Sequence, residues 1–166
     1  MWNSQTSGLL SGVTCVIFNG SPGGPRDAPD WSTLWRFAAR HGVTYLGSGA
    51  AFYASCAKAG VELAQCGDLS RIRALGTTGS PLSPEVQQWG TEQFRRIAST
   101  PAQQDIWWMN ISGGTDFAGG FIGGSPELPQ QPGVMQCRML GAAVEAWNEA
   151  GEPVLGQVGE LVCTQP

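Results

Sequence analysis

Four apolar runs, each brought to a stop by glycine, constrain this chain more than anything else in it. They are "GVTCVIFNG" (12–20), "VTYLGSG" (43–49), "RIRALGTTG" with its apolar part at 72–75, and "DIWWMNISGG", which starts at Asp105. Each is short and rich in β-branched or aromatic residues, the signature of a strand. The segments between them have helical signals. Asp30 can cap a helix over 31–41 that places Leu34, Trp35 and Ala38 on one face and ends at Gly42. An alanine-rich helix is expected over 50–59. Ser83-Pro84-Glu85 starts another that runs to Ile97, with Val86, Trp89 and Ile97 turned inward.

Strands alternating with helices imply crossovers and a mainly parallel sheet. Ligands of such sheets bind beyond the carboxyl ends of the strands. The segments "GSGA" (47–50), "TTGSP" (77–81) and "SGGTD" (112–116) are therefore expected on one rim. The pattern changes after Ser125. "SPELPQQPG" is a loop by composition, "VMQCRML", "AAVEAWN" and "VGELVC" are short strand patterns, and "NEAGEP" (148–153) is a turn. The fold class expected is α/β: a mainly parallel β/α unit over 1–125, followed over 126–166 by antiparallel strands of a partial barrel.

The chain has 166 residues, enough for a real core, yet only 13% are charged. That is about half the usual fraction of about 25%. Much of the surface is therefore expected to be covered, and self-association into a homo-oligomer is one way to cover it. The net charge of −4 and the absence of a basic run argue against nucleic acid and anionic membranes as partners. No apolar run is long enough to span a bilayer, and "MWNSQTSGLLSG" does not read as a signal peptide. Five cysteines without a Cys-x-x-Cys pair fit buried, reduced thiols and a cytoplasmic setting. A zinc site needs closer ligands than these cysteines and the single His41, which a helix end explains. No phosphate loop of the G-x-x-x-x-G-K-[ST] kind, no G-x-G-x-x-G and no G-x-S-x-G elbow is present.

The stretch "WMNISGGTDFAGG" (108–120) carries the most chemistry. Gly113 and Gly114 leave backbone N–H groups open to an anion. The Thr115 hydroxyl can donate to a phosphate oxygen, and the Asp116 carboxylate is a hard ligand suited to Mg²⁺. A glycine turn in which Thr115 and Asp116 cap their own backbone explains the same residues. "TTGSPLSPE" has the same two readings, a flat platform at Gly79 and Pro81 against a planar base, or a loop before a capped helix. The seven tryptophans are expected mainly in the core.

Taken together, "NGSPGGP…LWRFAARHGVTYLGSGA", "IRALGTTGSPLSPEVQQW", "WMNISGGTDFAGGFIGG" and "LGAAVEAWNEAGEPVLGQVGELVCTQP" resemble the adenylate-forming acyl-CoA synthetase superfamily. Their wording is similar to its acetoacetyl-CoA synthetase branch. The resemblance implies two half-reactions. A carboxylate attacks the α-phosphate of ATP to give an acyl-adenylate and pyrophosphate, and coenzyme A then displaces AMP. It places Gly79, Ser80 and Pro81 along the adenine, with Asn110 and Ile111 bordering the base. Ser112, Gly113, Gly114 and Thr115 lie toward the phosphates, and Asp116 near Mg²⁺. Ser48, Gly49, Ala50, Thr78 and Gly113 line the acyl side.

The chain departs from the family pattern in two places: Asp116 stands where glutamate is usual, and Gly79-Ser80-Pro81 where acetate-using members carry Gly-Glu-Pro. Those members also carry, two residues before the Thr-acid pair, a tryptophan that stops longer acyl chains. Gly113 stands there in this chain, which implies a deeper pocket. The family's phosphate loop, ribose aspartate and adenylation lysine are not among these segments. An internal piece of the large N-terminal domain, inactive alone, is therefore expected. A ligase for acetate or propionate, and a free-standing structural or nucleotide-binding module, are the alternatives.

Overall fold

The computed structural model describes residues 2–165, with the side chains of residues 2–4 left out of account. Among the described residues, five α-helices, α1 (Trp2–Leu10), α2 (Thr33–Arg40), α3 (Ala50–Lys58), α4 (Pro84–Ile97) and α5 (Pro101–Gln104), and a short 3-10 helix (Leu63–Gln65) accompany nine strands. Strands β1 (Tyr45–Gly49), β2 (Ala74–Thr78) and β3 (Trp107–Asn110) form a parallel sheet in that order. Strands β4 (Ser112–Gly114), β5 (Gly119–Gly123) and β6 (Cys137–Arg138) form an antiparallel sheet. A second antiparallel sheet has β7 (Val144–Trp147) between β8 (Pro153–Val154) and β9 (Glu160–Cys163). The expected α/β class with a parallel unit followed by antiparallel strands is the one observed. The sheet of β4, β5 and β6 draws strands from both sides of Ser125.

The core lies under one face of the parallel sheet. Leu46, Leu75 and Trp108 are aligned partners across it, and all three are buried against α2, α3 and α4. Helix α2 buries Leu34, Trp35 and Ala38, as its sequence pattern predicts, and Gly42 follows it at φ 57. Tyr53 of α3 is fully buried because its hydroxyl finds partners: it donates to the carbonyls of Leu46 (3.0 Å) and Gly76 (3.2 Å). Helix α4 starts where Ser83-Pro84-Glu85 predicts, and the Ser83 hydroxyl oxygen accepts from Val86 N–H at 3.4 Å. Its buried stripe is Gln87, Gly90, Gln93 and Phe94, whereas the expected Val86, Trp89 and Ile97 are only half-buried at the edge of the core.

Several expectations need correction. Residues 12–20 form no strand; Val13, Val16 and Ile17 are exposed, and only Phe18 docks, its ring 4.9 Å from Phe37. Strand propensity describes fit to a pleated, half-buried surface, and no neighbouring strand pairs with this segment among the described residues. The third strand is shifted from 72–75 to Ala74–Thr78, so it carries its ladder into the glycine segment. The fourth run breaks at Ile111, whose N–H donates to Thr77 O, and continues as β4 in the antiparallel sheet. The thiols are all free, but only Cys56 and Cys66 are buried; Cys163 is exposed. Among the described residues no helix is long and apolar enough to cross a membrane.

The N-cap of α2 is Ser32 and not the expected Asp30, which braces it from two residues upstream: its carboxylate accepts from the N–H and hydroxyl of Ser32 and pairs with Arg36. The Arg36 hydrogen bond, followed by those from Ser32, lowers the Asp30 carboxyl from 3.8 to about 2. A folded value below the unfolded one means that the contribution is present above about pH 4 and is lost as pH falls through about 2. The pair is exposed, with 50% and 44% of the side chains accessible. Its worth is therefore below about 1 kcal/mol. Asp30→Asn, which keeps an oxygen for the Ser32 hydrogen bonds, is expected to lower stability slightly at pH 7 and distinctly less near pH 2, where the carboxyl is already partly protonated. Urea titrations at both pH values check this; an equal loss at both would assign the effect to the cap.

Candidate functional site

Parallel pairing fixes the rim. Ser48 is aligned with Thr77, which is aligned with Asn110, and Gly49 with Thr78. The glycine segments after β1, β2 and β3 thus emerge side by side, as the strand–helix alternation predicts. Beyond β2 and β3 lies a cavity of about 290 Å³ lined by residues 77–82, residues 110–113, Gly133 and Met135. That is close to the lower bound of about 300 Å³ for small-molecule sites. It suits a base or nucleoside better than an extended dinucleotide. A larger cavity of about 420 Å³ lies between the start of α2 and the end of α3. It is away from the carboxyl ends of the parallel strands, and its Asp30–Arg36 pair is already closed, so the smaller one is the candidate site.

The floor of this cavity is a chain of hydrogen bonds. Thr77 O–H donates to Asn110 Oδ1 at 2.9 Å, and Asn110 Nδ2 donates to Gln87 Oε1 at 3.1 Å and to Val134 O at 3.5 Å. Gly133 N–H donates to the same Gln87 oxygen at 2.9 Å. Thr77, Gln87 and Asn110 are all buried, which such groups tolerate only when paired. At the mouth, Gly79 holds φ 89 with open space where a Cβ would stand, so a side chain there meets backbone strain and no clash.

Of the residues singled out in the sequence, Thr78, Gly79, Ser80, Pro81, Asn110, Ile111, Ser112 and Gly113 line the cavity together. Ser48 and Gly49, at the end of β1, and Ala50, which opens α3, lie on the same rim without lining it. Gly114 ends β4, and Thr115 and Asp116 occupy the turn to β5, where Ala118 N–H donates to Thr115 O at 3.0 Å. Both are exposed. A lone exposed carboxylate cannot cage a metal, and no cluster of three or more His, Cys, Asp or Glu exists among the described residues. Asp116 fits Mg²⁺ only where phosphates and water complete the coordination.

Gly113 has a structural task of its own. A Cβ on it would lie against Gly119 O and 2.7 Å from Gly120 Cα, because β4 bulges onto β5 at this point. At Gly114 the same construction meets nothing within 4 Å. The two glycines therefore differ: the first lets two backbones meet, and the second faces open space.

No family model matches the chain. A solved structure of acetoacetyl-CoA synthetase from Streptomyces lividans matches all of it at 42% identity and a TM-score of 0.85, over 24% of that protein. The chain matches a segment of the acetoacetyl-CoA synthetase family. A second relative, acetoacetyl-coenzyme A synthetase of Rhizobium meliloti, is 38% identical over 165 residues, and the chain covers 24% of it. The chain spans about a quarter of the length of the curated relatives it matches. An anthranilate CoA ligase crystallised with anthranoyl-AMP shares the fold at a TM-score of 0.70 and 20% identity.

The structure also shows what the sequence left unread. Thr77, Leu82, Gly133 and Met135 complete the cavity, and Gln87 holds it from below. Gln87 was legible in principle. It stands three residues before Gly90 and seven before Phe94, the spacing of one buried helical stripe.

Proposed function

We propose that the chain supplies the adenylate-binding part of an ATP-dependent acetoacetate–CoA ligase. In the two half-reactions, acetoacetate displaces pyrophosphate from ATP, and coenzyme A then takes the acyl group from AMP. The observation that carries this reading is the cavity at the carboxyl ends of β2 and β3, built from "TTGSPL" and "NISG". Gly79, Ser80 and Pro81 would flank the adenine, with Asn110 and Ile111 at its edge. Ser112, Gly113, Gly114 and Thr115 would face the phosphates. Thr78, Gly113 and the rim residues Ser48, Gly49 and Ala50 would border the acyl group, and Asp116 would take Mg²⁺ held by the phosphates. A cytoplasmic setting belongs to the same reading.

None of the residues lining the cavity is charged. Phosphoryl transfer is driven by positioning and by charges placed against the transition state. The 166-residue chain is therefore expected to bind AMP weakly and to turn nothing over. Ligand-observed NMR with AMP and a pyrophosphate-release assay with ATP and acetoacetate test both halves. Absence of AMP binding would remove the nucleotide reading. Turnover above background from the pure chain would overturn the assignment of catalysis to residues outside it.

A further inference from the structure

The cavity has two walls that different parts of the chain supply. One is formed by the ends of β2 and β3, the other by the loop that contributes Gly133 and Met135. A single oxygen joins them. Gln87 Oε1, on the buried stripe of α4, accepts from Asn110 Nδ2 at 3.1 Å on the first wall and from Gly133 N–H at 2.9 Å on the second. Gln87 itself is 3% exposed and does not line the cavity.

The same loop rests on α4 at a second point. A Cβ on Gly133 would lie 2.8 Å from Pro84 Cγ, so the glycine sits directly on the first turn of the helix. The other end of the clamp is equally committed, since Asn110 Oδ1 receives the Thr77 hydroxyl at 2.9 Å. The Asn110 amide therefore has both its oxygen and its nitrogen spoken for, and its orientation is set from beneath. A buried glutamine is worth its desolvation only when its carbonyl is used, and this one is used twice.

We propose that Gln87 is a positioning residue for the candidate nucleotide site. Its carbonyl sets the width of the cavity by tying the Gly133–Met135 wall to the end of β3, and it fixes the Asn110 amide at the edge of the base. The proposal rests on the nucleotide reading above. The role is that of an acceptor, so side-chain volume without an acceptor does not replace it.

Three variants of the full 166-residue chain test it: Gln87→Met, which keeps length and loses the acceptor, Gln87→Glu, which keeps an acceptor, and Gln87→Asn, which retracts it by one methylene. Two readouts are taken on ¹⁵N-labelled protein, the AMP dissociation constant and the hydrogen exchange of the Gly133 and Leu75 amides. Gln87→Met is expected to weaken AMP binding and to speed Gly133 exchange, each by about tenfold, the scale of one buried hydrogen bond. Leu75 exchange, deep in the parallel sheet, stays as in the wild type, and Gln87→Glu restores both readouts. Gln87→Asn gives the same answer as Gln87→Met if the latter does not fold.

Wild-type behaviour of Gln87→Met in both readouts overturns the proposal and would mean packing alone; equal impairment of Gln87→Met and Gln87→Glu overturns it too, since a retained acceptor oxygen would then restore nothing. A wild-type chain that ignores AMP while Gly133 remains protected through Gln87 overturns the nucleotide assignment and leaves only a structural clamp.

Discussion

Replacing Gly113 with alanine is expected to loosen the β4–β5 hairpin, while the same change at Gly114 leaves it intact. A Cβ added at Gly113 would have backbone on its far side, Gly120 Cα at 2.7 Å, and backbone cannot step aside as a flexible side chain can. Overpacking of this kind costs about 1–3 kcal/mol, against less than about 0.5 kcal/mol for a surface position such as Gly114. Urea midpoints read the stability, and amide exchange at Gly119 and Gly120 reads the hairpin. Equal behaviour of the two variants would mean that β4 approaches β5 less closely than described. Gly113→Trp is expected to force the hairpin off its path altogether.

The second large effect is expected at Trp108. It is 2% exposed, and its indole lies so close to α4 that a Cβ on Gly90 would be 2.5 Å from Cζ2. Its ring meets Tyr53 edge-on at 5.1 Å, and its N–H donates to Thr91 Oγ1 at 3.0 Å. Trp108→Ala would remove all of this at once and open a cavity, at a cost of about 3–5 kcal/mol. That is a large part of the roughly 5–15 kcal/mol available to a domain. Trp107, on the opposite face of the strand, is half-buried and bonded to Gln136 Oε1 at 3.0 Å, so Trp107→Ala should cost distinctly less. Thermal and urea unfolding of both variants decide it; equal losses would place the core on both faces of the sheet.

The parallel unit was legible because its punctuation is local. Ser83-Pro84 starts α4 and Gly42 ends α2 by rules that need no knowledge of the rest of the chain. The segment 12–20 misled because β-branched residues describe a surface, and whether a partner lies beside that surface is a tertiary matter. The β4–β5 hairpin was invisible for the opposite reason: Gly113, Gly114, Gly119 and Gly120 carry no strand signal, and their pairing follows from close backbone approach alone. In the site, the glycine segments could be placed on one rim from topology. The wall at Gly133 and Met135 could not, because the bond that brings it there comes from a glutamine on a helix, where glutamine usually faces water.

That bond also bears on how the molecule comes together in time. Tyr53 ties α3 to β2 across 23 residues of chain, and Thr77 meets Asn110 across 33, whereas Gln87 reaches Gly133 only across 46. Contacts between distant residues must meet their loop-closure entropy before they return anything, and they slow the search. The three parallel strands can form without the Gly133 loop, but that loop has nothing to seat on until α4 and β3 are in place. The cavity is thus expected to close after the parallel strands do, and pulse-labelled refolding in which the Gly133 amide is protected no later than the Leu75 amide would contradict this. A chain arrested just short of the native state would have its full core and no site.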